Sequence, residues 1–435
     1  MNDITPLGVT DWRNQHVPFG IKDADRLGHV YCIGKTGVGK STLLLNMAIS
    51  DIQRGKGIAL IDPHGEAAVA VLSHVPNERV GDVIYFNPAD QEYPICFNPL
   101  AGIPESKHHV VVSGLIATFR KIWADFWGPR MEHILRFSLF TLLQYPDATL
   151  LDIQPLLTDA EFRRHVLGYA KSDDLLSFWH NEFDRYAPSL RSEAVSPILN
   201  KLGIFRAHPQ LRKIVGARGG GFQPQEAMDS GKVLVCNLSK GLIGEDASQL
   251  LGSMLVTAIQ VAALGRAKYE AHERVPFYLY VDEMHSFVSL SFIDILSEAR
   301  KYRLGLFLTH QYVDQLDGRI RDAIFGNVGT IISFRVGSQD AKYLAREFAP
   351  RIGEWDFIGL PKYSMYIKLM IDGATSSPFS AITHPLPEIK DDFKKEITQA
   401  SRVAYCTDAS KPTSKERVFK IGSHGSIQKG LFDTD

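Results

Sequence analysis

The 435-residue sequence predicts an α/β fold, with a mostly parallel, doubly wound sheet and an inserted all-α domain. Two observations support this prediction. In the first hundred residues and again after residue 221, short apolar runs alternate with segments of helical periodicity, which is typical of parallel sheets covered by helices on both faces. Between residues 105 and 220, helical periodicity dominates and strand-like runs are missing from the sequence.

We therefore divide the chain into four segments. Residues 1–104 and 221–385 are expected to form the two parts of the α/β core, and residues 105–220 are expected to form the inserted helical domain. From residue 386 the sequence becomes polar and charged, so residues 386–435 are expected to hold one amphipathic helix and then, beyond Ser410, a flexible tail.

The composition favours an ordinary cytoplasmic protein. Hydrophobic residues make up 45% of the chain and the formal net charge is −1, so any nucleic-acid partner would need a local basic surface. The four cysteines are far apart in sequence, which argues against a disulfide framework or a zinc cluster. The start of the chain has no features of a signal peptide. The longest apolar stretch, residues 250–265, contains polar residues and is expected to be a core helix rather than a membrane span.

The first chemical signal is the segment HVYCIGKTGVGKSTLLLN, which begins at His29. An apolar strand, a glycine-rich G-x-x-x-x-G-K-S loop and an apolar helix follow one another, and this is the pattern of a phosphate-binding P-loop. The helix N-terminus adds a positive dipole at the same place. Lys40 is expected to reach the β- and γ-phosphates, and the Ser41 hydroxyl is expected to bind Mg²⁺. The predicted ligands are ATP and Mg²⁺, and the nucleotide-binding residues are Gly34, Lys35, Thr36, Gly37, Val38, Gly39, Lys40, Ser41 and Thr42.

The next two predicted strands are residues 58–61 and residues 83–86. The first of them ends at Asp62, and ligands in open α/β sheets lie at the carboxyl ends of strands. Asp62 and His64 could therefore lie close to the nucleotide. Alternatively, Asp62 only starts the turn before Pro63. The sequence leaves both interpretations open.

The helical segment that follows has clear helix signals. One apolar stripe runs from Leu115 to Phe126, a second helix is predicted from Met131 to Tyr145, and a capping box from Thr158 to Glu161 opens a third. His108, His109 and His133 lack cysteine or carboxylate neighbours at ligand spacing, so we do not predict a metal site there.

The second chemical signal is FYLYVDE, an apolar strand that ends in Asp282 and Glu283. In a P-loop ATPase, Asp282 would hold Mg²⁺ and Glu283 would orient the attacking water. Gln311 follows the next predicted strand and is a candidate sensor of the γ-phosphate. Arg300 is the first candidate for a cation that stabilises the transferring phosphoryl group, and Arg303 is the second.

These motifs together resemble the HerA/FtsK superfamily of P-loop ATPases, in the type IV secretion coupling-protein branch of VirD4, TraD/TraG and TrwB. The matching stretches are IGKTGVGKSTLL, ALIDPHGE, VDEMHSF, EARKYRLGLFLTHQY and GNVGTIISFRVG, spread over most of residues 20–385. The resemblance implies a RecA-like core, a homohexameric ring with nucleotide at the subunit interfaces, and DNA-stimulated ATP hydrolysis. It also implies that Arg300 acts on a neighbouring subunit and that Gln311 is the sensor glutamine.

The same resemblance implies a DNA translocase that moves DNA through a central pore without reading its sequence. Candidate pore segments are residues 238–246, which include Lys240, and residues 284–292. The expected partner is a relaxase, a nuclease or a secretion channel, although we expect the chain to lack the N-terminal membrane anchor of the family. Two alternatives remain: a secretion or pilus ATPase that acts on protein, and a nucleotide-gated scaffold that recruits an effector.

Overall fold

A mixed sheet of eleven strands organises the computed structural model, which describes residues 3–11, 15–218 and 221–406. The strand order across the sheet is β2-β1-β13-β10-β9-β3-β8-β7-β4-β6-β5, and β11 and β12 form a separate hairpin. The strands are β1 (Ile4–Thr10), β2 (Pro18–Lys22), β3 (Val30–Ile33), β4 (Gly57–Asp62), β5 (Val83–Phe86), β6 (Val233–Asn237), β7 (Phe277–Val281), β8 (Leu304–His310), β9 (Thr330–Ser333), β10 (Ser364–Lys368), β11 (Met370–Ile371), β12 (Ala374–Thr375) and β13 (Phe379–Thr383).

Helices cover both faces of the sheet and fill the long connection between β5 and β6. They are α1 (Asp23–Arg26), α2 (Lys40–Gln53), α3 (Glu66–Leu72), α4 (His108–Ile122), α5 (Pro129–Leu142), α6 (Ile153–Thr158), α7 (Ala160–Leu167), α8 (Asp173–Ser177), α9 (Pro188–Ala207), α10 (Pro209–Val215), α11 (Pro224–Asp229), α12 (Lys240–Ile243), α13 (Glu245–Gly265), α14 (Phe292–Glu298), α15 (Gly318–Asn327), α16 (Ser338–Glu347), α17 (Glu354–Ile358) and α18 (Lys394–Tyr405). The predicted fold class is confirmed.

The seven strands from β9 to β5 are parallel. Every residue of β3, β7 and β8 is buried, as expected for strands covered by helices on both faces. The sequence predicted these strands because their apolar runs are nearly continuous. In the sheet, β8 lies between β3 and β7, so the carboxyl ends of these three strands meet at one edge.

The other four strands are antiparallel and were predicted less well. The first 28 residues contain β1 and β2, which form a hairpin that joins the sheet. Strand β1 pairs with β13, with Gly8 opposite Thr383, and β13 pairs in turn with β10. Strand β13 was not predicted, because its sequence FSAIT mixes polar and apolar residues without a clear period.

The helical insertion shares one apolar core with a face of the sheet. Buried residues from β3 and β4 belong to the same cluster as Ile134 and Trp179 of the insertion and Met254 of α13. Helix α4 lies close against α13, since a Cβ atom added at Gly114 would be 2.3 Å from Cγ2 of Thr257. The division of the chain at residues 104, 220 and 385 stays a prediction.

The start of α7 differs from the predicted capping box. Asp159, rather than Thr158, is the N-cap, and its carboxylate accepts hydrogen bonds from the backbone N–H groups of Glu161 (2.9 Å) and Phe162 (3.1 Å). Thr158 is the last residue of α6 and its hydroxyl donates to the Gln154 carbonyl. An aspartate accepts such bonds at least as well as a threonine, and it stands one position later.

At the carboxyl end of the described chain, α18 is the amphipathic helix expected after residue 386. The predicted flexible tail beyond Ser410 lies outside the described residues. Within them, one helix, Glu245–Lys268, is long and apolar enough to cross a bilayer by length and composition alone. Its apolar window is 83% buried inside the fold, as in the core helix of a soluble protein.

Candidate nucleotide site

The glycine-rich loop leads from β3 into α2 and curls tightly. Gly37 and Gly39 have φ values of 74° and 127°, which favour glycine over residues with a Cβ atom. The ammonium group of Lys40 donates hydrogen bonds to the carbonyls of Gly34 (2.6 Å) and Lys35 (3.1 Å). The lysine side chain is thereby held inside the curve of the loop, where a phosphate-binding lysine is needed.

Residues just after β9 and just before β10 support this loop from the side. The Lys35 N–H donates to the Arg335 carbonyl at 2.9 Å, and the Tyr363 N–H donates to the Val38 carbonyl at 2.7 Å. A Cβ atom added at Gly34 would lie 2.7 Å from Cβ of Phe334, so this residue has to be small. The shape of the loop therefore depends on a second strand, and not on its glycines alone.

Asp282 follows β7 and lies at the same edge of the sheet. One of its carboxylate oxygens accepts hydrogen bonds from the Thr309 hydroxyl (2.5 Å) and from the Glu283 N–H (3.1 Å). Burial raises the pKa of Asp282, the charges of Asp62 and Glu283 raise it further, and Lys40 opposes this effect. The fold thus brings Lys40 and Asp282 into one electrostatic environment, although they are far apart in sequence.

Glu283 has two unusual features. Its backbone is left-handed, with φ of 47°, a conformation that non-glycine residues adopt mainly where the surrounding structure enforces it. Its side chain is buried, and Oε1 accepts a hydrogen bond of 3.0 Å from the Gln311 amide. Among the described residues, no group donates a hydrogen bond to Oε2. This oxygen therefore has hydrogen-bonding capacity that the described residues do not use.

A ring of polar groups connects the two sides of Glu283. The Gln315 side-chain oxygen accepts from the N–H groups of Gln311 (3.3 Å) and Tyr312 (3.2 Å), and its amide nitrogen lies 3.4 Å from Nε2 of His285. Nδ1 of His285 lies 3.4 Å from Glu283 Oε2. Burial lowers the pKa of His285, and the charge of Glu283 opposes that shift.

Asp62 forms two hydrogen bonds within the turn that follows β4. One carboxylate oxygen accepts from the His64 N–H (2.8 Å) and the other from the Ala68 N–H (2.9 Å). Both oxygens are therefore occupied in the turn that opens α3. The Asp62 charge still acts on the site through the pKa of Asp282, whereas His64 is exposed.

Arg300 and Arg303 lie far from this site. Both precede β8, whereas Gln311 follows it, and a strand of seven residues spans roughly 20 Å. Arg300 is exposed at the opposite edge of the sheet, near His29. Neither arginine can reach the P-loop of its own chain, so either one could act only on a neighbouring subunit.

A magnesium–nucleotide complex fits the residues at this edge. The space beside Gly37 is open, because nothing lies within 4 Å of an added Cβ atom. Ser41 is exposed in the first turn of α2, the pKa of Asp282 is raised, and Glu283 retains a free oxygen. A divalent cation beside Asp282 would stabilise its charged form. In the described part of the chain, no cluster of three or more His, Cys, Asp or Glu residues has the arrangement of a metal site.

Sequence reasoning missed three residues of this site: Thr309, His285 and Arg335. Thr309 binds Asp282, His285 faces Glu283, and Arg335 is an exposed cation whose main chain holds the P-loop. Thr309 and Arg335 stand at or just beyond the carboxyl end of a parallel strand. Their position was therefore available from the sequence, but their side-chain contacts were not.

No protein-family model matches the chain, and no curated protein matches it. Two solved structures show the fold. The conjugative coupling protein TrwBΔN70 is 16% identical, with a TM-score of 0.61 over 89% of this chain and 90% of that one. VirB4 of Thermoanaerobacter pseudethanolicus is 13% identical, with a TM-score of 0.59 over 88% of this chain and 97% of that one. The resemblance seen in the motifs is therefore confirmed at the level of the fold: the chain has the RecA-type NTPase fold of TrwB and VirB4.

Proposed function

We propose that the chain is an ATPase that assembles into a ring and moves DNA through its centre. One observation supports the ATPase assignment above all others. Three adjacent parallel strands, β3, β8 and β7, deliver the P-loop, Gln311 and the Asp282–Glu283 pair to one edge of the sheet. TrwB has been solved with ADP and Mg²⁺, which supports the same ligands here.

Each residue of the site has a distinct role in this proposal. The loop amides from Thr36 to Thr42 and the Lys40 ammonium bind the phosphates, while Ser41 and Asp282 would hold Mg²⁺; the Lys35 amide is already bonded to the Arg335 carbonyl. The metal, when bound, offsets the negative charge that develops on the transferring phosphoryl group. Glu283 orients and polarises the attacking water through its free Oε2 atom, and Gln311 holds the other oxygen of that carboxylate in place.

The ring is proposed from the position of Arg300. An exposed arginine at the edge of the sheet opposite its own P-loop is suited to the site of the next subunit, where an added cation accelerates phosphoryl transfer. We expect a homohexamer, because this number of subunits is what the resemblance implies. Measurement of the mass of the nucleotide-bound assembly tests this part of the proposal.

DNA is proposed as the substrate because the resemblance to the coupling proteins implies it. The two candidate pore segments touch each other, since Lys240 Nζ lies 3.5 Å from the Ser286 hydroxyl. Leu242, which belongs to the first segment, is 69% exposed. Contacts to DNA phosphates would bind without reading sequence. A relaxase, a nuclease or a secretion channel as partner, and a cytoplasmic location, remain predictions.

The deciding experiment measures ATP hydrolysis by the purified chain while DNA is titrated at low and at raised salt. We expect DNA to stimulate hydrolysis and salt to weaken the stimulation, because binding to phosphates releases counterions. Single-stranded and double-stranded DNA are tested separately. A confirmed ring whose hydrolysis does not respond to either DNA would favour a protein substrate instead. A chain that hydrolyses no nucleotide would remove the ATPase assignment.

A further inference from the structure

The segment that follows the acid pair is held by a lysine from the helical insertion. Lys121, in the last turn of α4, donates hydrogen bonds from its ammonium group to the carbonyls of His285 (2.6 Å) and Val288 (2.7 Å). These carbonyls belong to residues 284–288, the short turn that begins directly after Glu283. A side chain that lies 164 residues away in sequence therefore clamps the chain beside the proposed water-orienting carboxylate.

Close helix packing fixes the position of this lysine. Gly114 on α4 lies directly against Thr257 of α13, and Gly252 on α13 lies directly against Phe287. A Cβ atom added at Gly252 would be 2.2 Å from the Phe287 ring. Residues 284–288 thus contact α13 through the Phe287 ring and α4 through Lys121. The close contact between Gly114 and Thr257 holds the two helices together.

The clamp is connected to Glu283 through a single residue, His285. Its acceptor residue His285 carries the imidazole whose Nδ1 lies 3.4 Å from Glu283 Oε2, and Gln315 connects that imidazole to Gln311. Any shift of the His285 backbone moves the imidazole relative to the free carboxylate oxygen. The left-handed backbone of Glu283 needs such support, because that conformation is unfavourable for a residue with a long side chain.

We propose that Lys121 is a positioning residue, through which the helical insertion holds Glu283 in the geometry needed to orient water. This inference rests on the proposed ATPase function. Burial lowers the pKa of Lys121 to about 7. The clamp does not depend on the charge, because a neutral amine still has the two N–H groups that the two carbonyls require.

The test compares Lys121→Met with Arg120→Met. Methionine keeps the length and the apolar contacts of the side chain but has no donor. The control residue, Arg120, lies next to Lys121 on the same helix, is half exposed, and pairs with Glu132 instead of the 284–288 segment.

We expect Lys121→Met to lower kcat roughly 10- to 100-fold, as small misplacements of catalytic groups do. Affinity for a fluorescent ATP analogue should stay within about twofold, because the P-loop is untouched. Lys121→Arg, which keeps two donors, should recover part of the loss.

A second measurement is independent of hydrolysis. Hydrogen exchange of the amides in residues 284–288 of the nucleotide-free protein should be faster in Lys121→Met than in the wild type or in Arg120→Met. Unchanged exchange together with unchanged kcat would overturn the inference. An equal loss of kcat and nucleotide affinity with a lowered Tm would also overturn it, because that pattern describes a fold defect. A wild-type chain without hydrolysis would overturn the proposed function, while the exchange experiment would still test the clamp.

Discussion

Glu283 combines backbone strain with an unsatisfied, buried oxygen, and both are costly features in a protein interior. Their coincidence at one residue of the acid pair favours a chemical role. We predict that Glu283→Gln binds an ATP analogue about as well as the wild type but hydrolyses ATP roughly 100-fold or more slowly, because an amide is a poor base. Phosphate release and analogue binding are measured on the same preparation. Near-normal turnover would identify another residue as the base.

Lys40 is the second residue for which we predict the effect of a substitution. Its ammonium group lies inside the loop on two carbonyls, whereas the neighbouring Lys35 contributes its backbone N–H to the Arg335 carbonyl. Lys40→Ala should therefore abolish detectable nucleotide binding, and Lys35→Ala should weaken it only slightly. Equilibrium binding of a fluorescent ATP analogue checks both variants. Tight binding by Lys40→Ala would remove the phosphate-binding assignment.

His29 gives the fold a dependence on pH. Its Nδ1 accepts from the Leu306 N–H, its Nε2 lies 3.2 Å from the Leu296 carbonyl, and burial lowers its pKa to about 4, with a smaller effect from the charge of Arg300. Because the unfolded chain binds the proton at about pH 6.5, the native state loses stability as the pH falls through the window between these two values.

We predict that this histidine alone reduces the free energy of unfolding by about 2 kcal/mol between pH 7 and pH 5. Denaturant unfolding at the two pH values measures the change. His29→Asn is the comparison, since asparagine tolerates the left-handed backbone at this position and does not titrate. The variant should be less stable at pH 7 but lose less stability on acidification. An unchanged loss would assign the effect to other groups.

At the scale of elements, the contact between α13 and the turn after Glu283 should limit substitution. Gly252→Ala places a methyl group against Phe287, and overpacking of this kind costs roughly 1–3 kcal/mol. Gly203→Ala in α9 is the matched control. Nothing lies within 4 Å of its added Cβ atom, and alanine is the better helix former, so a small gain is expected there. Thermal unfolding of the two variants compares these outcomes. Equal Tm values would show that α13 can shift away from the turn.

Burial and sequence composition explain why some strands were predicted and others were not. Strands β5 and β7 were predicted with their observed bounds, because a strand buried on both faces has an unbroken apolar sequence. Strands β1 and β13 are only partly buried and contain glycine or polar residues, so their pairing depends on partners that are distant in sequence. The observed N-cap of α7 is one residue later than the predicted one. Thr158 and Asp159 are both good caps, and only the packing of the folded chain selects between them.

The site was predicted to the extent that strand ends determine it. The P-loop, Asp282, Glu283 and Gln311 each follow a buried strand, so their convergence followed from topology once the strands were assigned. The contacts of His285, Gln315 and Lys121 depend on how a turn and a distant helix pack. No local pattern in the sequence encodes that packing, which is why the clamp could be inferred only from the structure.

At the scale of the whole molecule, Arg300 distinguishes a ring from a set of independent subunits. If Arg300 serves the neighbouring site, mixing Arg300→Ala subunits into wild-type rings should lower ATP hydrolysis more steeply than the fraction of variant added. Lys301→Ala, at an exposed position next to it, should leave hydrolysis nearly unchanged in the same mixtures. A loss strictly proportional to the variant fraction would leave Arg300 as a surface residue.

The pairing of β1 with β13 also has a consequence for how the chain is made. The Thr383 hydroxyl reaches the Leu7 carbonyl across 376 residues, so the first strand emerges from the ribosome long before its partner exists. Until then the β1 edge of the hairpin lacks the partner that β13 later supplies, and such edges pair readily with other chains. Completion of the sheet therefore has to wait until β13 has been synthesised. Slow synthesis or early stalling should expose this hairpin to chaperones or to aggregation.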